Sequence, residues 1–279
     1  MLAAAGSYLS ARSQQGEWLV RMEDLDLGRV VPGAAGRILA TLDQFGFDWD
    51  GPVEYQSRRN AFYESAVAQL VAGGLAFDCS CSRSQLSRLR QTGDGEPVYP
   101  GTCRDGASRI GRPTALRFHT GTPGQTTTAF VDRLQGPCGQ DVAQEVGDFV
   151  IRRRDGYHAY QLAVVVDDAA QGITEVVRGC DLLDNTPRQI LLQQALGLPT
   201  PDYCHIPLLV EPDGAKLAKR QRSVPLEPGN APALLWQVLH LLRQSPPATL
   251  QQASVADLWE WALEHWDLRP LRGIRSVAI

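Results

Sequence analysis

The chain has 279 residues and no apolar run long enough to cross a bilayer, which takes about 20 consecutive residues. Its opening, MLAAAG, is apolar but lacks the basic start and cleavage pattern of a secretory signal. These two absences lead to the expectation of a soluble, cytoplasmic protein. Net positive charge is lacking too: 27 Lys and Arg stand against 31 Asp and Glu, a formal net charge of −4. That excludes a bulk polyanion binder, and any nucleic-acid contact must use a local basic surface on an acidic protein. Cysteine is scarce, six in all. Without an export signal a disulfide framework is not expected, which leaves metal ligation or plain burial. What the chain does have is 43% hydrophobic residues, enough for a sizeable core in one large or two small domains.

The rest of the chain is organised around the stretch from Tyr157 to Gln189. Val164, Val165 and Val166 close on Asp167 and Asp168, where the chain is expected to leave the core and turn. Gly172 then opens ITEVVR, an alternating β-branched segment that reads as a strand, with Arg178 at its end before Gly179. Asn185 or Thr186 caps a following helix whose first position is Pro187, a residue with no N–H to lose there. A strand that delivers a charged residue to its carboxyl end, just before a helix N-terminus, is how open α/β sheets build ligand sites.

Upstream, residues 1–13 read as a helix with a small-residue packing face, and WLVRM as a buried strand running into Glu23, Asp24 and Asp26. Pro32 starts a helix that ends at Gly46, and a second helix covers roughly Arg58 to Leu70, with Phe62, Val67 and Leu70 on one face. Residues 113–146 alternate short strands, TALRFH and AFVDRL, with turns, and the chain is expected to rejoin the main sheet at DFVIRR, before the tight turn Asp155-Gly156. Downstream, YCHIPLLV is a strand leading through a glycine turn to the basic pentamer Lys216-Leu217-Ala218-Lys219-Arg220. ALLWQVLHLLRQ is helical, and Ser254 with Asp257 makes a capping-box start to another helix. Trp236, Trp259, Trp261 and Trp266 read as packing residues.

Cys79 and Cys81 stand one residue apart, with Tyr99 and Cys103 following in VYPGTCR. Two cysteines one apart in an extended run point to opposite faces and converge only at a turn, the geometry a metal would impose. Three thiolates with one oxygen or nitrogen ligand make a closed tetrahedral zinc site; buried thiols are the alternative. Arg83, Arg88, Arg90, Arg104, Arg109 and Arg112 outnumber the acids around this segment.

These motifs together resemble the catalytic domain of class I glutamyl-tRNA synthetases. Within that family the chain is more similar to the short members that lack the anticodon-binding half and attach glutamate to the queuosine base of tRNA(Asp). The resemblance implies an α/β fold, a Rossmann-like doubly wound sheet with an inserted zinc-binding subdomain and a C-terminal helical segment. It implies that Glu23 binds the α-amino group of L-glutamate, and that Tyr160 and Arg178, spaced as in the family, hold the substrate. It implies one structural zinc on Cys79, Cys81, Tyr99 and Cys103. KLAKR resembles the family's KMSKS loop, so Lys216 and Lys219 become the catalytic candidates and Lys219 the neutraliser of ATP phosphates, with Mg2+ accompanying ATP; Ala218 replaces the usual serine. Some of the arginines near the zinc segment would meet the RNA backbone. The implied partners are L-glutamate, ATP and tRNA(Asp) carrying queuosine, and the implied state is a monomer with no membrane contact. Two other readings stay open: the catalytic piece of an ordinary glutamyl-tRNA synthetase, and a non-catalytic zinc-bearing tRNA-binding fragment.

The division expected is 1–77 for the first half of the catalytic domain, 78–146 for the insertion, 147–225 for the second half and 226–279 for the helical end. The family's HIGH-type signature, on the turn after its first strand, should precede the first helix, yet no histidine comes before His119. The reading is a chain truncated at its N-terminus, with the first strand missing and Met1 an internal residue of a longer frame. Such a chain is expected to be destabilised by the unpaired strand edges left behind.

Overall fold

The computed structural model describes residues 1–92, 95–106, 111–125, 127–211 and 230–278. The chain opens with α1 (Leu2–Ser13), β1 (Arg21–Met22), α2 (Ala34–Gln44), β2 (Glu54–Tyr55), α3 (Asn60–Ala72) and β3 (Ala76–Cys79). A short α4 (Arg83–Leu86), β4 (Ala115–Phe118), β5 (Thr128–Asp132), β6 (Gly136–Gln140), a short α5 (Val142–Glu145) and β7 (Val150–Arg152) follow. The second half runs α6 (Tyr160–Ala170), β8 (Glu175–Gly179), α7 (Thr186–Leu196), β9 (Asp202–Ile206), β10 (Leu208–Val210), α8 (Ala231–Leu241), α9 (Val255–His265) and β11 (Ser276–Ala278).

Among the described residues the largest sheet has four strands in the order β6-β5-β9-β8, with β8, β9 and β5 parallel and β6 added as an antiparallel hairpin. α1 lies against β8 and β9 because its Leu2, Ala5 and Leu9 recur at helical spacing and are all buried. Gly6 permits the close approach: a Cβ there would sit 3.1 Å from Ile206 Cδ1. The same core takes in Phe45, Phe47, Leu235, Leu239 and Trp259, so α8 and α9 close the far side. A second core packs α3, α6 and α7 through Tyr63, Leu70, Leu162, Val165 and Leu192. No helix among the described residues is long and apolar enough to cross a membrane.

Several expectations change here. WLVRM is extended, but only Arg21 and Met22 form a ladder, parallel to Glu54 and Tyr55. On α3 the buried face is Tyr63, Ala66, Val67 and Leu70, while Phe62 is 53% exposed with Arg59 stacked on its ring. Asp167 and Asp168 do not turn the chain. They continue α6, because Asp167, fully buried, is satisfied by Gln56, Arg59 and Tyr63, and the turn waits until Gln171 and Gly172. The segment 78–146 is split between sheets: β4 joins β3 and β7, whereas β5 pairs with β9 and carries β6 on its outer edge. The return to the four-stranded sheet therefore comes at β5, and DFVIRR belongs to the three-stranded one. Cys138, in a Pro- and Gly-rich stretch, sits in β6.

Candidate active site

A cavity of about 810 Å³ opens between the extended segment before Glu23 and the β8 edge, with α6 beneath it. Glu23, Tyr160 and Arg178 all line it, Glu23 from the segment just after β1, Tyr160 from α6 and Arg178 from β8. β8 brings Arg178 to the cavity near its carboxyl end. Tyr160 arrives as the first residue of α6, just after Ala159 leaves the extended region.

The sequence did not single out Arg21, which organises the acids. Its Nη2 donates to Asp168 Oδ1 at 2.8 Å, its Nη1 to Gln171 Oε1 at 2.6 Å, and Glu23 Oε1 lies 3.9 Å from Nη2. Glu23 keeps 44% of its side chain accessible, facing the cavity. Its carboxyl is nonetheless held above the usual range: the recess disfavours charge, and Arg21 offsets only part of that. Burial likewise raises Asp168 despite the Arg21 pair. It raises the Tyr160 phenol too, with Arg178 opposing and Glu23 adding to the shift. Around the Tyr160 phenol the cavity thus gathers the carboxyl groups of Glu23 and Asp168 and the guanidinium groups of Arg21 and Arg178, a set that complements both ends of a free amino acid; Glu17, Glu175, Asp202 and Arg133 line it as well.

Arg178 is 8% exposed and gripped from behind. Its Nε donates to His205 Nε2 at 3.0 Å, and its Nη2 donates to Thr186 Oγ1 at 2.8 Å. His205 is in turn joined through Nδ1 to Asp132 Oδ2 at 2.6 Å. Asp132 also accepts from the backbone N–H groups of Leu134, Gln135 and His205. Burial pushes the Asp132 carboxyl up, but these hydrogen bonds outweigh it and hold the group below the usual range. The signal for this network was a polar residue at a fully buried position in each of two apolar strands, His205 in YCHIPLLV and Asp132 in AFVDRL. Asn185 is the residue preceding α7; its side chain accepts from Gln161 rather than capping the helix.

Cys79, Cys81, Tyr99 and Cys103 converge in a separate, fully buried cluster. Tyr99 Oη lies 3.4 Å from Cys79 Sγ and 3.5 Å from Cys81 Sγ, and Cys81 Sγ lies 3.6 Å from Cys103 Sγ. A zinc tetrahedron with ordinary bond lengths has S···S edges of about 3.8 Å and S···O edges of about 3.5 Å. The donor set therefore fits a tetrahedral cation, and 3.6 Å is far from a disulfide bond. Burial pushes both the Cys81 thiol and the Tyr99 phenol up. Gly147 (φ +71°) lets the chain pass Tyr99; a Cβ there would meet the Tyr99 carbonyl oxygen at 2.2 Å.

Of the arginines near this cluster, Arg104 is taken by Asp148, with two hydrogen bonds of 2.7 Å, and Arg90 by the Gln144 carbonyl. Arg83, Arg88 and Arg112 are exposed. A second cavity of about 680 Å³, on the other side of Tyr160, is lined by Arg83, Arg117, Arg153 and Arg188, the last three not anticipated from sequence. Lys216, Ala218 and Lys219 of KLAKR, and Arg109, lie outside the described residues.

Residues 2–231 match the family model of class I tRNA synthetases (E and Q), catalytic domain. The chain is 52% identical over 267 residues to a "Glutamyl-Q tRNA(Asp) synthetase" of Pseudomonas aeruginosa, covering 96% of this chain and 88% of that protein. A protein of the same name from Dechloromonas aromatica is 52% identical over 270 residues, covering 95% and 88%. Among solved structures, the glutamate-tRNA synthetase of Elizabethkingia anophelis superposes with a TM-score of 0.76 at 21% identity, a likeness of fold. It covers all of this chain but only 64% of the Elizabethkingia chain.

Proposed function

Because this chain belongs to the family of class I tRNA synthetase catalytic domains for glutamate and glutamine, we propose that it activates L-glutamate with ATP and transfers it to the queuosine base of tRNA(Asp). The observation that carries this reading is the convergence of Glu23, Tyr160 and Arg178 on one cavity from three separate segments. The name borne by relatives at 52% identity supports the RNA half of it.

In the first step a carboxylate oxygen of glutamate bonds to the α-phosphorus of ATP, and the bond to the β-phosphate oxygen breaks, releasing pyrophosphate. In the second, a ring hydroxyl of queuosine attacks the acyl carbon of the adenylate and AMP leaves. Glu23 binds the α-ammonium group, Arg178 a carboxylate through its planar fork, and Tyr160 closes the pocket by hydrogen bonding. Lys219, with Lys216, neutralises charge on the phosphates, as Mg2+ does on ATP. Cys79, Cys81, Tyr99 and Cys103 hold a structural zinc, which pins together a segment with few apolar residues of its own. Exposed arginines on this side, Arg83 and Arg88 among them, meet the RNA backbone. We place the protein in the cytoplasm as a monomer.

Glutamate-dependent exchange of pyrophosphate into ATP without tRNA tests the first step; failure with intact, folded protein counts against an enzyme. Charging tRNA(Asp) with and without queuosine tests the second. Equal charging of both, or charging of tRNA(Glu) instead, would favour an ordinary glutamyl-tRNA synthetase, the reading that the likeness to the Elizabethkingia fold keeps open.

A further inference from the structure

Arg178 is the one cavity cation held by a histidine. Its Nε–H points at His205 Nε2 at 3.0 Å, its Nη2 is used by Thr186, and Nη1 forms no hydrogen bond among the described residues. His205 and Asp132 are respectively 0% and 1% exposed, so water cannot substitute for either partner. A guanidinium has donors only, so His205 Nε2 must present its lone pair to Arg178. An imidazole with a bare Nε2 carries its proton on Nδ1, and that N–H donates to Asp132 Oδ2 at 2.6 Å. The other tautomer would set two N–H groups against each other at 3.0 Å and leave a lone pair facing a carboxylate; Thr186 Oγ1, 3.3 Å from Nε2 and already accepting from Arg178 Nη2, instead has its hydroxyl proton free to donate to the bare Nε2. Asp132 cannot swing away to allow this, because three backbone N–H groups also hold it.

We infer that Asp132 and His205 are positioning residues for Arg178. The carboxylate fixes the Nδ1–H tautomer, and the bare Nε2 orients the guanidinium so that Nη1 is left for the substrate carboxylate. The substrate assignment rests on the function proposed above, whereas the tautomer and the hold on Arg178 do not. The effect is to fix a long, flexible side chain before substrate arrives, so that less rotamer entropy is lost on binding.

The experiment has two arms on the full chain. Ring-nitrogen NMR of His205, assigned by its loss in His205→Gln, reads the tautomer without any ligand. The expected spectrum has a protonated Nδ1 and a bare Nε2, and the near-isosteric Asp132→Asn reverses it; a charged ring, or the reverse tautomer in the parent, overturns the inference. The second arm titrates L-glutamate. His205→Leu and Asp132→Asn should each weaken binding roughly 10- to 100-fold, the value of a lost hydrogen bond to a charged group. His205→Gln, whose amide oxygen can take the Nε2 place, should recover most of that, with the KM for ATP unmoved throughout. If the parent binds glutamate and His205→Leu and Asp132→Asn bind it equally well, the positioning role is wrong. It is also wrong if His205→Gln, folded, fails as badly as His205→Leu. A parent with the expected tautomer but no affinity for glutamate overturns the proposed substrate and leaves the positioning of Arg178 supported.

Discussion

Arg59 donates its Nε to the carboxylate of Asp167 at 2.6 Å, joining the start of α3 to α6 across 108 residues of sequence. Asp167 also accepts from Tyr63 at 2.7 Å and Gln56 at 2.8 Å. Burial, and then this carboxylate, raise the Tyr63 phenol well above its ordinary value, which fixes it as the donor. One buried acid thus clamps α3 to the helix that carries Tyr160.

Removing that acid leaves the Tyr63 phenol and the Gln56 amide without an acceptor and the Arg59 guanidinium with only the longer contact to Glu54, 3.7 Å away. Asp167→Ala should cost about 3–5 kcal/mol, the usual result of breaking a buried charge pair from one side. Urea unfolding of the variant beside the parent reads the loss, and a change below about 1 kcal/mol would mean that water replaces the carboxylate.

Purified protein should carry stoichiometric zinc by elemental analysis. Cys103→Ser should lower that content and the melting temperature together, since a structural metal's binding energy is folding energy. Chelation should make Cys79, Cys81 and Cys103, all buried, reactive to a thiol reagent. A metal-free parent that melts no higher after zinc is added would refute the site.

Arg178→Lys replaces a planar fork by a point charge. It should raise the KM for glutamate in pyrophosphate exchange roughly 10- to 100-fold and leave the KM for ATP alone. An equal rise in both would point to a general collapse of the cavity.

Glu23 must be ionised to bind an ammonium group, yet its recess raises its pKa. Glutamate affinity should therefore fall with decreasing pH earlier than an ordinary glutamate would dictate, because protonation removes the charge. Glu23→Gln should bind weakly at every pH and erase that inflection. A parent whose affinity is flat down to the normal glutamate range would argue against the contact.

His158 is 4% exposed, packs on Tyr63, and has its pKa lowered by burial; the nearby Glu64 offsets this and Arg152 reinforces it. A depressed folded pKa means the unfolded chain takes up the proton first. Stability present above pH ~6.5 should therefore decline as pH falls toward the folded value, by up to ~1.4 kcal/mol per pH unit. His158→Gln should flatten that part of the curve, read from urea midpoints at neutral and mildly acidic pH.

Much of the architecture was legible because short-range rules govern it. The capping box of Ser254 and Asp257, Pro187 in the first turn of α7 and the alternating ITEVVR strand depend on neighbours a few residues apart, and all form. Spacing singled out Cys79, Cys81 and Cys103 as thiols for a metal or for plain burial, the family resemblance supplied the full donor set with Tyr99, and the four side chains do meet. The misreadings came from long-range partners. Two adjacent acids after an apolar run looked like a turn only because their distant donors, Gln56, Arg59 and Tyr63 for Asp167 and Arg21 for Asp168, are invisible in a local window. Phe62 and Tyr63 exchanged places because one residue is 100° of helix, and only the packed α6 decides which side is the core.

The sequence by itself determined helix or strand for most segments, and it carries the side chains with the chemistry to bind an amino acid or a metal. Tertiary structure alone decided that Arg178 meets His205 and, through it, Asp132, that Arg21 stands among the cavity acids, and that β5 pairs with β9. The reason is physical. Backbone preference is set by a residue and its near neighbours, whereas a buried polar group is stable only opposite its complement, and that complement is chosen by how the whole chain packs.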